Sequence, residues 1–540
     1  MDDQAEEELI FNKPRIFYIL LFVLFGLNLF FFIPLIIKLP NFLMDDFMLF
    51  SIIDKNPAGF ILTNPGDIVH MAVRPLTFFS LWFDHVVLNF SSFQMKLETL
   101  LLHLAFVATF CFFAYDLLGY LKVKVNSFKL GFVALILTTH TICAWWILWI
   151  ALRNEILMLL FYVLALYSVL LFLKSNKSYF LFLSLLFYIF SFLSKQQSLH
   201  FPLLIIAVLL FFKDSFTAEQ RRKLAYFTVA GVLLMLTYFV INFMYYSGTS
   251  LLQFSGIWKK PLSAVSAIGL ALAPLETDKI YNYLLGAKMA AVVIFVILSA
   301  AAVFMFIKNV RVRKISAFMV IIFALSFFPV LSAEISVRLI TLQVFMIYLV
   351  LAYLVQKVNL KDYFVYPALA AILFLNVRAS LTEFNGEKTL NDKRNECIVK
   401  LDEFIKTNDL REENIISLAS PFGLFTPYQY YYYKFNKYGK TPLTASPFGY
   451  TFYFKNFYTD EINNPGETVF NAQSSDSLIS IQTTKEYVAL FKGDDLKGFK
   501  IIHEERNGLR GYSKIDFTLP YEYKNFDKIY YDGKNWMRLK

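Results

Sequence analysis

The chain is poor in cysteine and in charged residues, and each shortage excludes a class of protein. Three cysteines occur among 540 residues, at Cys111, Cys143 and Cys397, and their spacing fits neither a metal site nor a disulfide framework. Charged residues make up only 17% of the chain, whereas 57% of it is hydrophobic and the mean hydropathy is +0.53. A soluble domain of this length needs far more polar surface, so the composition predicts a polytopic membrane protein.

Three sequence signals are also missing: a glycine-rich phosphate loop, an internal repeat and a cleavable signal peptide. Without the loop, the sequence does not indicate a nucleotide-binding fold. Without a repeat of fixed period, an appended solenoid is excluded. The first apolar run is long and lacks a small-residue cleavage site, so we interpret it as a retained span.

Long apolar runs divide the first two thirds of the chain. A helix needs about 20 apolar residues to cross the hydrocarbon layer, and on that measure the sequence predicts about eleven spans. The stretch 76–92 is apolar but carries Asp84 and His85, so we interpret it as an interfacial helix. The predicted spans are 17–37, 97–118, 128–150, 154–173, 178–194, 199–213, 223–246, 287–307, 315–333, 338–356 and 362–378.

The net charge of +10 is distributed unevenly, and this sets the predicted orientation. Residues 382–540 hold 22 basic and 22 acidic side chains, so the whole surplus lies in residues 1–381. Seventeen of the 29 basic residues before residue 382 fall in alternate short loops. The positive-inside rule puts those loops and the N-terminus in the cytoplasm. This distribution fits a membrane protein and indicates no nucleic-acid partner.

The predicted organisation has three parts. Residues 1–16 form a cytoplasmic N-terminus, and 17–378 form a transmembrane domain with outer loops 38–96 and 247–286. Residues 379–540 form an extracytoplasmic C-terminal domain. This last part is rich in Tyr, Phe, Asn, Gly and Lys, which predicts a small α/β or β-rich domain. The fold class is therefore an α-helical polytopic membrane protein with a small appended domain.

Several charged and polar residues lie in or near the ends of the predicted spans, where their placement in or beside the membrane must be explained. A charge deep in a span costs roughly 2.5–3.5 kcal/mol. With the predicted orientation, all of them fall on the outer side, which suits a ligand with a lipid tail and a phosphate. They are Asp45, Asp46, Arg74, His103, His140, Arg153, Glu155, Lys195, Glu334 and Arg338.

Each of these residues also has a purely structural interpretation. The two aspartates fit a solvated loop or a helix cap, and the basic residues fit long side chains that reach the headgroups. Arg153 with Glu155, and Glu334 with Arg338, fit local ion pairs. The two histidines fit hydrogen-bonded packing residues. The shared outer face favours the functional interpretation over these separate ones.

The order of these residues resembles the C-type glycosyltransferases, in particular the protein O-mannosyltransferase-like enzymes and their relatives with tetratricopeptide tails. The similarity covers residues 17–378. Gln196 stands where that family has an acid, Glu334 and Arg338 are spaced more widely, and the tail lacks the repeats. The motifs that carry the resemblance are "MDDF", "AVRPLTFFS", "LLHLAF", "THTICAWWILWIALRNE", "LSKQQS" and "FFPVLSAEISVRLITLQ".

The resemblance implies transfer of a sugar from a polyprenyl-phosphate donor to an acceptor, with inversion at the anomeric carbon. It assigns the general base to Asp45, and a neighbouring carboxylate at Asp46 makes that base stronger. Arg74, Lys195 and Arg338 would hold the lipid phosphate. The other candidates would shape the pocket: His103, His140, Arg153, Glu155 and Glu334.

The resemblance leaves the cofactor, the acceptor and the competing functions open. The mechanism requires no cofactor, although some members of the superfamily use a divalent metal at an acidic motif. The acceptor is a protein, a glycan or a lipid such as lipid A. A lipid or polysaccharide transporter and a non-catalytic scaffold are the competing functions. The abundance of Lys, Phe, Tyr and Asn fits an AT-rich bacterial genome, which predicts an inner membrane with the C-terminal domain in the periplasm. An endoplasmic reticulum membrane, with the same topology toward the lumen, is the alternative.

Overall fold

The described part of the chain divides into two units, and each is presented by itself. The first comprises Met1–Asn41 and Ile61–Asn385, and the second comprises Phe42–Phe60 and Gly386–Lys540. The structure is a computed structural model that describes residues 13–39, 42–43, 46, 49–50, 53, 74–245, 341–357, 362–411, 415–420, 429–430, 433, 450–454, 470–475, 478–483, 487–491, 500–507, 512–518, 525–531 and 535–539.

Helices joined by short turns make up the described residues of the first unit, and none of these residues forms a strand. A π-helical turn, Phe83–Val87, follows α2, and short 3₁₀ turns precede α6 and α8. Helix α11 begins in this unit and continues into the second. The helices are α1 (Arg15–Lys38), α2 (Pro75–Trp82), α3 (Ser92–Tyr120), α4 (Ser127–Thr138), α5 (Thr141–Leu148), α6 (Arg153–Ser175), α7 (Tyr179–Ser194), α8 (Phe201–Phe212), α9 (Ala218–Tyr245), α10 (Thr341–Lys357) and α11 (Asp362–Thr407).

Six of the described helical segments are long and apolar enough to cross a membrane, or seven if the bent pair α4 and α5 forms one span. This agrees with the predicted class of helical membrane protein. Helices α7 and α10 are apolar but shorter. Nine of the predicted spans fall on described helices, whereas 287–307 and 315–333 lie outside the described residues.

Helix α1 shows why the hydropathy signal locates these helices well. Its sequence is apolar on every side, so periodicity does not distinguish an inner face. Phe22 and Phe30 are 78% and 80% exposed, whereas Asn28 is fully buried. Large apolar side chains exposed on such a helix suit lipid contact, and its one central polar group turns inward to a partner.

Helices α6 and α7 pack closely through serine hydroxyls. Ser184 Oγ donates to the Ala165 carbonyl at 3.0 Å, and Ser191 Oγ donates to the Met158 carbonyl at 2.8 Å. The two serines are seven residues apart, and so are the two carbonyls, which run in the opposite direction. Small residues at this spacing let two apolar backbones approach and hydrogen-bond without water.

The span formed by α4 and α5 is broken, and the two helix axes differ by 55°. The His140 imidazole caps the start of α5 by accepting a backbone N–H. Side chains also satisfy carbonyls at the break. Thr139 O accepts from Ser380 Oγ at 2.9 Å, and Leu137 O accepts from Cys143 Sγ at 3.1 Å. Because Ser380 belongs to α11, that helix contacts the break between α4 and α5.

The second unit combines the end of α11 with two β-sheets. In the five-stranded sheet the order is β5-β2-β1-β8-β9, and β1 runs parallel to both of its neighbours. The four-stranded sheet is antiparallel, with the order β3-β4-β7-β6. The strands are β1 (Ile415–Ser420), β2 (Tyr450–Phe454), β3 (Phe470–Ser475), β4 (Leu478–Thr483), β5 (Tyr487–Phe491), β6 (Lys500–Asn507), β7 (Tyr512–Thr518), β8 (Asp527–Tyr531) and β9 (Trp536–Arg538).

The end of α11 packs against the five-stranded sheet. Trp536 on β9 is buried, and its Nε1 donates to the Cys397 carbonyl at 3.1 Å. Tyr430 OH donates to Asp402 Oδ1 at 3.4 Å. The unit boundary falls a few residues after the predicted start at 379. Its position relative to the membrane stays a prediction.

Candidate functional site

One end of the helical unit collects several of the predicted residues. At this end α1 and α7 finish, whereas α3 and α6 begin. Lys96 Nζ donates to the Leu39 carbonyl at 2.6 Å, which ties the start of α3 to the end of α1. The predicted orientation makes this the extracytoplasmic end. We refer to it as the charged end; its members are Arg74, Asp84, Glu98, Arg153, Glu155 and Lys195.

The Arg153 guanidinium is fully buried at the first residue of α6. Its Nε donates to Thr99 Oγ1 at 3.3 Å, and its Nη2 donates to the Met95 carbonyl at 3.0 Å. Both partners lie in the first turns of α3. Arg153 therefore fastens the start of α6 to the start of α3.

The other guanidinium nitrogen reaches the segment 75–87 and carries the charge contacts. Nη1 donates to Ser80 Oγ at 2.9 Å and forms ion pairs with Asp84 and with Glu98, the latter at 3.3 Å. The Asp84 side chain is buried, whereas that of Glu98 is 34% exposed. Two carboxylates thus share one cation, and Glu98 is the member that faces outward.

Glu155 and Lys195 form a second buried ion pair at the charged end. Both side chains are almost completely buried. The local pair between Arg153 and Glu155 is not formed. Residues two apart on a helix face different directions, so each finds its partner on another element.

The 3₁₀ turn Gln196–His200 holds the backbone next to Lys195. His200 Nδ1 hydrogen-bonds the Gln197 carbonyl at 2.8 Å, and Tyr162 OH hydrogen-bonds His200 Nε2 at 3.1 Å. Tyr162 is on α6, as is Glu155. Helix α6 therefore fixes both the partner of Lys195 and the turn that follows it.

The segment 75–87, made of α2 and the π-helical turn, is amphipathic and directly follows Arg74. Pro75 occupies its first helical position, where a missing N–H costs nothing. Thr77 Oγ1 donates to the Ser194 carbonyl at 3.1 Å, directly before Lys195 in the chain. Its outer face exposes apolar side chains. These are Phe79, Phe83, Val86 and Val87, which continue to Leu88.

His103 and His140 lie in the interior rather than among these ion pairs. Helix α3 begins at Ser92, so His103 is about three turns into it. His103 Nε2 hydrogen-bonds Asn28 Oδ1 at 3.3 Å, and Asn28 Nδ2 donates to Thr138 Oγ1 at 3.2 Å. These contacts, and the helix cap made by His140, are those of hydrogen-bonded packing residues.

The remaining predicted residues lie outside the described part of the helical unit. Asp45, Glu334 and Arg338 lie outside the described residues. Asp46 belongs to the second unit, where its side chain is buried and its Oδ2 accepts from the Leu43 backbone N–H at 2.9 Å. The role of the acidic pair therefore stays a prediction.

Several residues of the polar contacts were missed as site candidates from the sequence, among them Asn28, Asp84 and Glu98. Asp84 and Glu98 border or enter apolar stretches, where a carboxylate needs a cation. Asn28 is a lone amide in the middle of the first span. The sequence shows that each of these polar groups needs a partner. It does not show which residue the partner is, because that depends on which helices are neighbours.

The opposite end of the helical unit holds another missed charge cluster. Asp116 accepts from Lys13 Nζ and from Lys174 Nζ, both at 3.2 Å, and from Tyr167 OH at 2.7 Å. Burial lowers the pKa of the Lys13 ammonium, and the Asp116 carboxylate opposes that effect. This cluster joins the start of α1 to the ends of α3 and α6.

Among the residues described, no group of three or more His, Cys, Asp or Glu side chains is arranged to hold a metal ion. The charged end consists of buried ion pairs, a partly exposed Glu98 side chain and the amphipathic segment 75–87, which follows Arg74.

The amino-acid sequence matches no protein-family model and no curated protein.

Proposed function

We propose that the chain is an inverting glycosyltransferase with C-type architecture. It moves a sugar from a polyprenyl-phosphate donor to an acceptor at the extracytoplasmic surface. The acceptor is a protein or, in a variant of the proposal, lipid A or a surface glycan. The proposal includes about eleven spans, a cytoplasmic N-terminus and a C-terminal domain in the periplasm of a bacterial inner membrane.

The observation that carries the proposal is the arrangement of the segment 75–87. It follows directly after Arg74. Its polar side chains hydrogen-bond to α6 and α7, and its other face exposes apolar side chains. A basic group beside an exposed apolar surface complements a substrate with an anionic head and a long lipid tail. The ordered motifs of the sequence support the same substrate.

The leaving group in this reaction is a lipid phosphate, so the reaction needs cations that hold developing negative charge. Arg74 suits bidentate contact with a phosphate, and Lys195 supplies a point charge. In the proposal, the Lys195 ammonium acts on the phosphate as a positive charge at the end of α7, while it is paired with Glu155. Arg338 is the third cation of the proposal.

Asp45 acts as the general base that removes the proton from the acceptor hydroxyl, on the face of the sugar opposite the phosphate. Asp46 acts as a positioning residue beside it. Its carboxylate accepts the Leu43 backbone N–H at 2.9 Å. The mechanism needs no metal, and a divalent ion at the acidic pair is the variant to be tested.

Transport of a lipid or a polysaccharide is the second candidate function, and the broken span favours it. Transporters often bind their substrates where a helix is interrupted. Here, however, the Thr139 and Leu137 carbonyls at the break are bonded to Ser380 and Cys143. Protein groups thus already donate to two carbonyls at the break, which weakens the case for a substrate site there.

The proposed function is tested with purified protein in nanodiscs. A panel of radiolabelled polyprenyl-phosphate sugars is supplied with a cell-envelope extract, for wild type, Asp45→Asn and the matched control Asp54→Asn. We expect transfer by wild type and by the control, and at least about a 100-fold loss in Asp45→Asn because general base catalysis is removed.

Donor binding is measured in parallel to interpret a loss of transfer. Retained binding in Asp45→Asn supports its role as the base. Transfer by Asp45→Asn at the wild-type rate would show that the mechanism is wrong. Binding without transfer in all three proteins would favour transport.

A further inference from the structure

We propose that Arg153 is the positioning residue of the site, which sets the placement of the segment 75–87 and hence of Arg74. The consequence of this placement for catalysis rests on the function proposed above.

Arg153 has no free direction in which to meet a substrate. Its side chain is fully buried, and all three of its nitrogens donate to protein groups. The partners belong to two elements, α3 and the segment 75–87, while the residue itself starts α6. This differs from the role implied by the family resemblance, in which Arg153 would line the pocket.

The segment 75–87 has two polar anchors among its described contacts. Thr77 is bonded to the Ser194 carbonyl beside Lys195, and Ser80 with Asp84 is bonded to Arg153. The outer face of the segment is apolar and does not select one position on a lipid surface. Phe78 and Leu81 of the segment are also buried, but apolar packing is not directional. The polar anchors therefore add the directional contacts that set the position of the segment, including that of Arg74 three residues before Thr77.

The geometry requires an arginine and not merely a positive charge. The planar guanidinium presents N–H groups in fixed directions, so it bonds Thr99, Ser80 and the Met95 carbonyl together. A lysine has one nitrogen on a flexible stem and cannot span these partners. We therefore expect Arg153→Lys to preserve the charge but to restore the placement only partly.

A crosslinking experiment tests the placement without any assay of activity. The Thr77→Cys/Ser194→Cys protein in nanodiscs is oxidised with copper phenanthroline, and the crosslinked fraction is measured. Arg153→Gln/Asp84→Asn is then added, which removes the buried ion pair with Asp84 without stranding the charge of either partner, while the Glu98 side chain, 34% exposed, keeps access to its surroundings. We expect the crosslinked fraction to fall at least threefold, and Arg153→Lys to give an intermediate value.

The matched control is Lys129→Gln, which breaks the ion pair to Asp362 at 2.8 Å away from the segment. This control should leave the crosslinked fraction unchanged. Size-exclusion profiles show which variants are folded. A folded Arg153→Gln/Asp84→Asn protein that crosslinks as well as its parent overturns the proposal.

Kinetics then separate this inference from the proposed function. If the protein transfers sugar, Arg153→Gln/Asp84→Asn should raise KM for the donor at least tenfold and change kcat less. An equal loss in kcat with unchanged KM would contradict a role in placing Arg74. If wild type transfers no sugar but crosslinking falls as expected, the positioning role stands and the proposed function fails.

Discussion

The buried ion pair between Glu155 and Lys195 is the residue-level feature on which the charged end depends most. Both side chains are out of water, so each is the main compensation for the other's charge. Removing one partner strands a buried charge, which costs about 3–5 kcal/mol. Replacing both by apolar groups of similar volume is often close to neutral.

This contrast gives a prediction that separates stability from function. We expect Lys195→Met to lower the free energy of unfolding by about 3–5 kcal/mol, and Lys195→Met/Glu155→Leu to recover most of it. Transfer should be lost in both because the cation for the phosphate is gone. Unfolding is measured in detergent micelles. Equal stability of the two variants, or transfer by the double variant, would contradict this account.

At the same scale, the sequence located buried charges but not their partners. The cost of a charge in a span singled out Arg153, Glu155 and Lys195. The alternative of a local pair between Arg153 and Glu155 was wrong, since Glu155 bonds a residue forty positions away. Such partners depend on which helices are neighbours, and local spacing does not contain that information.

At the scale of elements, serine contacts between α6 and α7 set how closely these two helices approach. Ser184 and Ser191 each donate to a carbonyl of the facing helix. Ser168 offers a matched control because its hydroxyl donates to Leu164 O within its own helix, at 2.8 Å. The three serines are all buried.

We expect Ser191→Ala and Ser184→Ala each to lower the free energy of unfolding by about 0.6 kcal/mol, and by no more than about 1.7 kcal/mol. The interhelical hydrogen bond is lost in each case. Ser168→Ala should have a smaller effect because no contact between helices is removed. Unfolding in mixed micelles measures the differences. A larger loss in Ser168→Ala than in the other two would refute this packing description.

Helix positions followed from hydropathy, but some helix starts did not. The predicted spans begin at 223 and 97, whereas α9 begins at Ala218 and α3 begins at Ser92, in the polar turn before the apolar residues. A capping box was readable there, since Ser91 and Gln94 bond each other's backbone N–H groups. Side-chain capping thus defines a boundary that the apolar count misses.

At the scale of the whole molecule, α11 joins a helical unit to a unit with two sheets. The change of composition after residue 379 indicates such a division, because aromatic and polar residues replace the long apolar runs. The inclusion of 42–60 in the second unit was not predictable from composition. Residues 42–60 lie more than 300 residues before the other part of that unit, which starts at Gly386.

The orientation is tested by reporter fusions. We expect an alkaline phosphatase fused after residue 540 to be active, and one fused after Lys124 or Lys177 to be inactive, because basic loops face the cytoplasm. A fluorescent protein that folds only in the cytoplasm should give the opposite result. Phosphatase activity after Lys177 together with none at residue 540 would show that the predicted topology is inverted.

The most direct test of the central claim follows the two halves of the donor separately. A polyprenyl-phosphate sugar with ³H in the sugar and ¹⁴C in the lipid is incubated with the reconstituted protein and an envelope extract. We predict that the two labels separate: ³H enters the acceptor, while ¹⁴C is released as polyprenyl phosphate. Labels that stay together on one molecule as it crosses the bilayer would contradict glycosyl transfer and identify a transporter.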